Sequence, residues 1–401
     1  MKKKVPLSGK QWQANITEAT AVLEKGRHFF LAANLDADAI GSMLALAVYL
    51  TRQDKKAHMV LAETLGDNLD FLSEIIAFYE IGLIVKDDDI LSLADVIDTI
   101  VFCDTANTKL MPLYSAVKTH LLSKRLPVIE IDHHFGADSE PMTAHGIRLF
   151  RHANANTEII AELLSHFHRV NPHLPDPFDD KSIIFSLVTG LFGDTLGGKI
   201  VTFKKDYEYW INLLGSALGK AMDGRMPDGR RTGRDPGRHF ASIDDLLDHL
   251  NRLIPKKQHC LDAVTERIVT DRKIAVLNLL PAAYPGLENV CRPFDSEWFG
   301  EILEHLYNVV PEKSGKVGIV YFEGKNMAGI DCIFIKLRRA AGYDGFDLRK
   351  VESAISKAFP CGRYLGGGGH PGAVSFRVQS MPHHEFQPKI TQILNTLQKN
   401  L

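Results

Sequence analysis

The sequence predicts an α/β protein with a mostly parallel sheet, followed by a smaller α/β domain with a mixed sheet. Apolar, β-branched runs such as 99–103 and 126–131 are typical of strands that are buried on both faces. Helical patterns alternate with these runs through about residue 200, which favours parallel strands joined by helices. The length of 401 residues is sufficient for two separate cores.

The first domain is expected over residues 1–224. Apolar residues recur at helical spacing after position 39, whereas 29–35 is a nearly continuous apolar run that favours a strand. Predicted strands cover 29–35, 56–61, 99–103 and 126–131, and predicted helices cover 16–27, a segment from residue 39, 70–79, 157–168, 181–191 and 207–224.

A linker over 225–261 and a second domain over 262–401 are expected to follow. The linker begins with Arg225–Arg238, whose Gly, Pro and Arg content favours a loop with little to bury. This basic stretch is either a solvated connection or an arm that touches the phosphates of a substrate. Beyond a helix over 242–254, strands are predicted at 273–280, 316–322, 331–338 and 373–378, and helices at 296–308, 347–358 and 383–398.

Composition narrows the class of protein. A net charge of −2 gives no global field that would recruit nucleic acid or a membrane surface. No apolar run reaches the ~18 residues of a membrane span. The five cysteines are scattered without CxxC spacing, which favours reduced thiols and a cytoplasmic location over a disulfide framework.

Acidic and histidine side chains follow apolar segments at several separate places, and they are Asp36, Asp38, Asp104, His133 and Asp194. The carboxyl ends of parallel strands meet at one edge of a sheet, where ligands bind. Carboxylates gathered there would repel one another, and divalent cations would remove that repulsion. Oxygen ligands with one imidazole suit Mn²⁺ or Mg²⁺, and so many side chains favour two metal ions over one.

Some of these acids also have ordinary structural interpretations. Asp38 follows a strand and could be the N-cap of a helix. Asp194 stands beside a glycine and could serve a turn. Because the acids come from separate segments and accompany the paired imidazoles of His133 and His134, the sequence favours a metal centre.

Six segments resemble, in order, the motifs of the DHH phosphoesterase superfamily. The first four are NLDADAIGS at 34–42, FCDT at 102–105, IDHH at 131–134 and GLFGDT at 190–195. Two more, IKLRR at 335–339 and GGGGHPGA at 366–373, resemble the DHH-associated substrate domain of these enzymes. The resemblance covers roughly residues 20–380, and the superfamily includes RecJ-like exonucleases, nanoRNases and exopolyphosphatase-related proteins.

The resemblance implies a dinuclear Mn²⁺ site, with Mg²⁺ as the alternative metal. By position, Asp104 would bridge the two ions, and Asp38, His133 and Asp194 would complete one metal site. Asp36 would belong to the other site.

Two further residues receive roles from the same resemblance. His134 would face the substrate phosphate as hydrogen-bond donor or general acid, and Asp132 would orient the imidazoles. The reaction implied is phosphoester hydrolysis by two-metal hydroxide attack.

The sequence departs from the family pattern ahead of the paired aspartates. The family supplies a histidine or aspartate there, whereas this chain has Ala32 and Asn34. Asn34 offers a neutral oxygen, so the metal held by Asp36 should bind more weakly. The alternative to an enzyme is therefore a non-catalytic nucleotide or phosphate sensor with a degenerate first metal site.

The second domain carries a candidate phosphate-binding group. Consecutive glycines, including Gly367, Gly368 and Gly369, are expected to form an ordered loop that allows close backbone approach to a ligand and an anion-binding nest. His370 and Arg338 would grip a terminal phosphate beside them. A flexible hinge turn is the alternative interpretation of the glycines alone.

The predicted function is hydrolysis of short phosphodiesters or phosphomonoesters. The candidate substrates are oligonucleotides of a few residues, phosphoadenosine phosphate, cyclic dinucleotides and polyphosphate. The expected partner is such a small phosphorylated substrate or short oligonucleotide, with no membrane, and a homodimer is a further expectation.

Overall fold

The structure is a computed structural model, and it describes residues 3–136, 139–195, 197–198, 200–223, 240–251, 255–280, 296–326, 329–360 and 362–401. The chain divides into two compact units, Met1–Arg252 and Leu253–Leu401. The predicted basic loop Arg225–Arg238 lies outside the described residues. Among those residues, none of the helices combines the length and the apolar character needed to cross a bilayer.

A parallel sheet forms the centre of the first unit. Its strands are β1 (His28–Ala33), β2 (Lys56–Val60), β3 (Gly82–Ile84), β4 (Thr99–Cys103), β5 (Val128–Asp132) and β6 (Ile147–Phe150). They lie in the order β3-β2-β1-β4-β5-β6, and each neighbouring pair is parallel. The predicted fold class of this part is confirmed. The chain leaves β1 toward β2 and later returns to its other side with β4, and ligands bind at such a reversal.

Helices cover both faces of this sheet. They are α1 (Gly9–Lys25), α2 (Ala37–Thr51), α3 (Asp70–Phe78), α4 (Asp87–Leu93), α5 (Tyr114–His120), α6 (Asn156–Val170), α7 (Lys181–Thr195), α8 (Lys204–Asp223) and α9 (Ile243–Leu250). Strand β1 shows that both faces of the sheet are apolar. Phe29, Leu31 and Ala33 belong to one apolar cluster. Phe30 and Ala32 belong to the other. Burial on both faces explains why the strands read as continuous apolar runs.

Helices α2 and α7 pack closely because glycines stand where they meet. A Cβ at Gly41 would come within 2.3 Å of the carbonyl oxygen of Ser186. A Cβ at Gly190 would lie 2.4 Å from Thr157 Cγ2 and 2.8 Å from Asp38 Oδ1. Side chains on these helices therefore approach one another more closely than larger residues would allow.

The second unit has a mixed sheet in the order β11-β12-β10-β9-β8-β7. The pair β8–β9 is parallel and the other neighbouring pairs are antiparallel, so the predicted mixed sheet is confirmed. The strands are β7 (Val269–Asp271), β8 (Ile274–Asn278), β9 (Val317–Lys325), β10 (Asp331–Arg339), β11 (Tyr364–His370) and β12 (Ala373–Gln379), and the helices are α10 (Pro255–Thr265), α11 (Ser296–Ser314), α12 (Glu352–Ala358) and α13 (His383–Asn400).

Parts of the predicted linker over 225–261 are packed. Phe240 and Leu246 are buried in the apolar core of the first unit, and Cys260 is buried in a core of the second. The domain limits at 224 and 262 stay a prediction.

The cysteines only partly follow the expectation of reduced thiols. Cys103 and Cys332 are buried free thiols, whereas Cys260 is disulfide-bonded. Spacing along the sequence did not predict this bond, because pairing depends on two Cα atoms approaching within about 7 Å in the fold.

Candidate active site

Three carboxylates from separate elements surround one imidazole at the carboxyl edge of the parallel sheet. The Nε2 atom of His133, just after β5, lies 3.1 Å from Asp104 Oδ1, 3.3 Å from Asp194 Oδ2 and 3.6 Å from Asp38 Oδ2. The His133 side chain is fully buried, and its Nδ1 lies 3.3 Å from the carbonyl oxygen of Ala153. The structure thus brings together four residues that are separated along the chain by up to 156 positions, 194 minus 38.

Asp104 reaches this point through an unusual backbone conformation. It follows β4 directly, and its φ of 43° lies in the left-handed region. Aspartate adopts this region more readily than most residues, but the conformation still has an energetic cost. The N–H of Asp104 donates to the Ile131 carbonyl at 2.9 Å, which fixes the turn beside the histidines.

Asp38 is anchored by the start of a neighbouring helix. Its carboxylate accepts hydrogen bonds from the backbone N–H groups of Asn156 and Thr157, the first two residues of α6. These donors have no partners within their own helix, and the helix dipole favours a negative charge there. The N-cap interpretation of Asp38 is wrong, since Asp36 is the N-cap of α2 and accepts from Ala39 N–H at 2.9 Å.

Asp194 lies in the last turn of α7. The helix was expected to end at residue 191, but it continues to Thr195, so the turn interpretation of Asp194 is wrong. The extra turn is closed by Thr195 Oγ1, which donates to the Leu191 carbonyl. This helical turn carries Asp194 toward His133, and the close packing of α2 on α7 brings Asp38 to the same place.

His134 is held by Asp132, and Asp132 is held in turn by Lys4. The Nδ1 of His134 lies 2.8 Å from Asp132 Oδ1. Lys4 Nζ donates to the other oxygen of Asp132 and to the Thr105 carbonyl, and its side chain is only 1% exposed. Sequence reasoning missed Lys4, because a lysine among three near the N-terminus resembles an ordinary solvated charge. Its neighbour Lys3 is exposed.

The charges of the site change the pKa values in opposite directions. Burial, together with repulsion from Asp38 and Asp36, raises the pKa of Asp104 well above the ordinary value. Burial and repulsion from Asp38 likewise raise the pKa of Asp194. Burial alone would raise the pKa of Asp132, but the positive charges of His134 and Lys4 outweigh this effect and hold the pKa well below the usual range. Asp132 is thus a compensated carboxylate, whereas Asp104 and Asp194 are crowded by like charges.

This donor set fits divalent metal ions. Asp38, Asp104 and His133 have ligand atoms within 4.8 Å of one another, and so do Asp104, Asp132 and His134. The two groups share Asp104, but Asp132 in the second group already pairs with Lys4 and His134. Oxygen donors with imidazole suit Mn²⁺ or Mg²⁺.

Asp36 belongs to neither of these groups. One of its oxygens caps α2, and burial raises its pKa despite the hydrogen bond from Ala39. Asn34 lies directly beyond the end of β1, where its backbone N–H donates to Thr105 Oγ1 at 3.0 Å. The roles of Asn34 and Asp36 as ligands of a weaker metal stay a prediction.

In the second unit the glycine motif is a strand, not the predicted loop. Gly367, Gly368 and Gly369 belong to β11, the edge strand that pairs with β12, and a bulge lies between Tyr364 and Gly367. At Gly369 the φ of 142° and the Ala373 carbonyl oxygen, which would lie 2.3 Å from a Cβ, together require glycine. His370 ends β11, and Arg338 on β10 donates to the Asn308 side chain.

Comparison with known proteins shows what this part of the chain is similar to. Residues 29–184 match the family described as "DHH family, N-terminal domain". No protein of curated function matches the sequence at a significant level. An exopolyphosphatase-related protein from Bacteroides fragilis is similar in structure, with 18% identity, a TM-score of 0.63 and 96% of each chain covered. The DHH domain of a member of a ribosomal protein family shares 14% identity at a TM-score of 0.51, over 98% of this chain and 92% of that chain.

The family match begins at Phe29 in β1 and continues past β6, so it includes the site residues from Asp36 to His134. Asp194 lies ten positions beyond the end of the match at 184. At these identities the two solved structures support the fold alone. Residues 29–184 of this chain are therefore similar to the N-terminal domain of the DHH family.

Proposed function

We propose that the protein is a metal-dependent phosphoesterase that hydrolyses short phosphodiesters or phosphomonoesters. The observation that carries this proposal is the set of three carboxylates within 3.6 Å of the buried Nε2 of His133. A buried cluster of this kind is costly without cations, and paired divalent ions are typical of phosphoryl transfer.

The residues proposed to hold two Mn²⁺ or Mg²⁺ ions are Asp38, Asp104, His133 and Asp194, with Asp36 and Asn34 as weaker ligands. When bound, such ions would lower the pKa of a water and neutralise charge on the phosphoryl oxygens. The α6 N-terminus keeps Asp38 in place, and the turn at Asp104 fixes the shared carboxylate.

His134 is the proposed hydrogen-bond donor to the phosphate. Its Nδ1 lies 2.8 Å from a carboxylate oxygen of Asp132, which only accepts hydrogen bonds, so Nδ1 carries the hydrogen. The imidazolium form then has a second N–H at Nε2 that can donate to a phosphate oxygen or a leaving group. Asp132 orients the His134 ring, and Lys4 holds Asp132 in place.

In the second unit, we infer that Arg338, His370 and the strand Gly367–Gly369 contact a substrate phosphate. Arginine suits bidentate contact with phosphate. Among the described residues, β11 is an edge strand of its sheet, a position that can present backbone groups to a ligand. The identity of the substrate within the four candidate classes, the cytoplasmic location and the homodimer stay predictions.

One assay tests the proposal against the alternative of a sensor. The full chain is stripped of metal with a chelator, resupplied with Mn²⁺ or Mg²⁺, and offered a short oligonucleotide, phosphoadenosine phosphate, a cyclic dinucleotide and polyphosphate. We expect metal-dependent turnover of at least one of these. Nucleotide binding without turnover with either metal would instead support the sensor, which the absence of a histidine or aspartate at positions 32 and 34 favours.

A further inference from the structure

The segment between β6 and the first turn of α6 contacts two of the residues proposed to hold metal. The Ala153 carbonyl oxygen lies 3.3 Å from Nδ1 of His133. Further along the same segment, the backbone N–H groups of Asn156 and Thr157 donate to the Asp38 carboxylate. The orientation of His133 and Asp38 therefore depends on how rigidly this segment is held.

The N-cap position of α6 carries no capping group. The residue there is Ala155, whose side chain makes no hydrogen bond to the helix. Serine, threonine, asparagine or aspartate at an N-cap accepts from the backbone N–H two or three residues later, and Thr157 is such a donor. Alanine leaves this donor to Asp38, so another group has to hold the entry into α6.

The side chain of Asn154 supplies this support. Its Oδ1 accepts from the backbone N–H groups of Thr202 and Phe203 at 2.9 and 2.7 Å. Its Nδ2 donates to the Phe203 carbonyl at 3.0 Å, and the residue is only 8% exposed. Asn154 therefore joins the segment before α6 to the chain that leads from Asp194 into α8.

Glu158, in the first turn of α6, holds Asn154 from the other side. Its Oε1 accepts from Asn154 Nδ2 at 2.8 Å, and its Oε2 accepts from the Asn154 backbone N–H at 3.1 Å. Glu158 is buried. Burial raises its pKa, and the hydrogen bonds from Asn154 act against this rise. Both carboxylate oxygens are thus used to fix Asn154.

A polar network at this place does what apolar packing would not do. Apolar side chains could fill the same space without the cost of burying a carboxylate. They would not, however, fix the direction of backbone N–H and carbonyl groups, whereas a fully satisfied network of buried hydrogen bonds makes the backbone that it joins rigid. The backbone groups held here include those that contact Asp38 and His133.

We propose that Asn154 and Glu158 are positioning residues for the metal centre, acting on Asp38 and His133 through the segment between β6 and α6. This inference rests on the proposed metal-dependent function and extends it to two residues that contact neither metal nor substrate. Loss of a group that orients metal ligands lowers metal affinity by about 10–100-fold. Mn²⁺ affinity is therefore the property that should respond.

Calorimetric titration of the metal-free full chain with Mn²⁺ tests the proposal. Asn154→Asp places a carboxylate oxygen against the Glu158 carboxylate, and Glu158→Gln places an amide N–H group against a donor of Asn154. Each substitution should weaken Mn²⁺ binding by about tenfold or more. The double variant exchanges donor and acceptor, so it should recover a large part of the loss. Recovery should be incomplete, because the Phe203 carbonyl loses its donor.

The matched control is the exposed pair Gln258 and Asp262 on α10. This pair also joins an amide to a carboxylate, at 2.8 Å and with the same four-residue spacing. Asp262→Asn should leave Mn²⁺ affinity unchanged. Thermal melting of each variant gives the temperature range in which it is folded, and the titrations are made within that range.

Wild-type Mn²⁺ affinity in folded Asn154→Asp and Glu158→Gln would overturn the proposal. A double variant that binds Mn²⁺ no more tightly than either single variant would also overturn it, because the paired contact would then not be the cause. Weakened Mn²⁺ binding in the variants of a protein that hydrolyses no substrate would support the positioning role and refute the phosphoesterase. Hydrolysis by the wild type with unchanged Mn²⁺ affinity in the variants would do the reverse.

Discussion

The two units of the molecule concentrate opposite charges. The first unit gathers Asp38, Asp104 and Asp194 around His133, whereas the second unit places Lys336 and Arg338 in one cavity. The first arrangement calls for cations and the second for an anion. This difference is consistent with the proposed division of roles, in which the first unit supplies the chemistry and the second recognises the substrate.

The two groups also differ in how firmly they are held. In the first unit, Asp38 is fixed by two backbone N–H groups and Asp132 by Lys4 and His134. In the second, the Lys336 side chain is 30% exposed. Substitutions in the first unit should therefore have larger effects, mainly on kcat, and those in the second should mainly change KM or Kd.

The largest effect is expected for the shared carboxylate. Asp104→Asn should lower kcat by about 10³-fold, because loss of a charged metal ligand forfeits several kcal/mol of charge stabilisation and each ~1.4 kcal/mol is tenfold in rate. Asparagine tolerates the left-handed backbone at this position, so the fold should persist. Steady-state kinetics with Mn²⁺ and thermal melting measure the two properties.

A matched control separates this role from general loss of charge. Asp95 is an exposed aspartate that pairs with Lys124 on the surface, and Asp95→Asn should leave kcat unchanged. If Asp104→Asn retained the activity of Asp95→Asn, the division of roles between the units would be refuted.

A smaller effect is expected at Lys4. Lys4→Met should lower kcat by about 10–100-fold, as loss of a group that orients a metal-site residue does, with little change in KM. It should also destabilise the fold, because Asp132 would keep a buried charge without its ammonium partner. The measurement is steady-state kinetics well below the melting temperature, and Lys3→Met on the exposed neighbour is the control. Equal kcat values for the two variants would mean that Lys4 does not position Asp132.

The substitution Asn34→His tests whether position 34 contributes a ligand to the proposed weaker metal site. A histidine there should strengthen metal binding by about tenfold, or ~1.4 kcal/mol, because imidazole is a better Mn²⁺ ligand than a neutral amide oxygen. Titration of the metal-free protein with Mn²⁺ measures this, with wild type as reference. An unchanged titration would show that position 34 does not face the metal centre.

The smallest expected effect is the pH dependence of ligand binding at Lys336 in the second unit. The pKa of Lys336 lies below the ordinary value of 10.5, and the groups around it are Glu304, Tyr307 and Arg338. Because anion binding needs the protonated amine, affinity for a phosphorylated dinucleotide should fall several-fold as pH rises from about 7 to about 10. In Lys336→Arg this fall should shrink, since arginine keeps its proton. Parallel curves for the two proteins would remove Lys336 from the binding site.

Much of the fold could be predicted because long buried strands and helices leave a clear pattern. The run at 99–103 predicts a strand with the observed limits, and the helices predicted from residues 70 and 181 begin at those residues. Short elements such as β3 and β6 were missed, since three or four residues are too few for a periodic signal. The glycine motif was expected to be a loop, because nothing local shows that β12 would pair with it.

For the candidate site, the sequence determined the chemical types of the residues and their positions just beyond strand ends, because alternation of strands and helices forces those ends to one edge of a sheet. Only the tertiary structure decided which oxygen meets which nitrogen. It extended α7 to carry Asp194 inward, placed the α6 N–H groups on Asp38, and buried Lys4 against Asp132. The physical reason is that the contacts on Asp38 and Asp132 join segments more than a hundred residues apart, and the approach of α2 to α7 depends on glycine packing. Local sequence does not encode such distances.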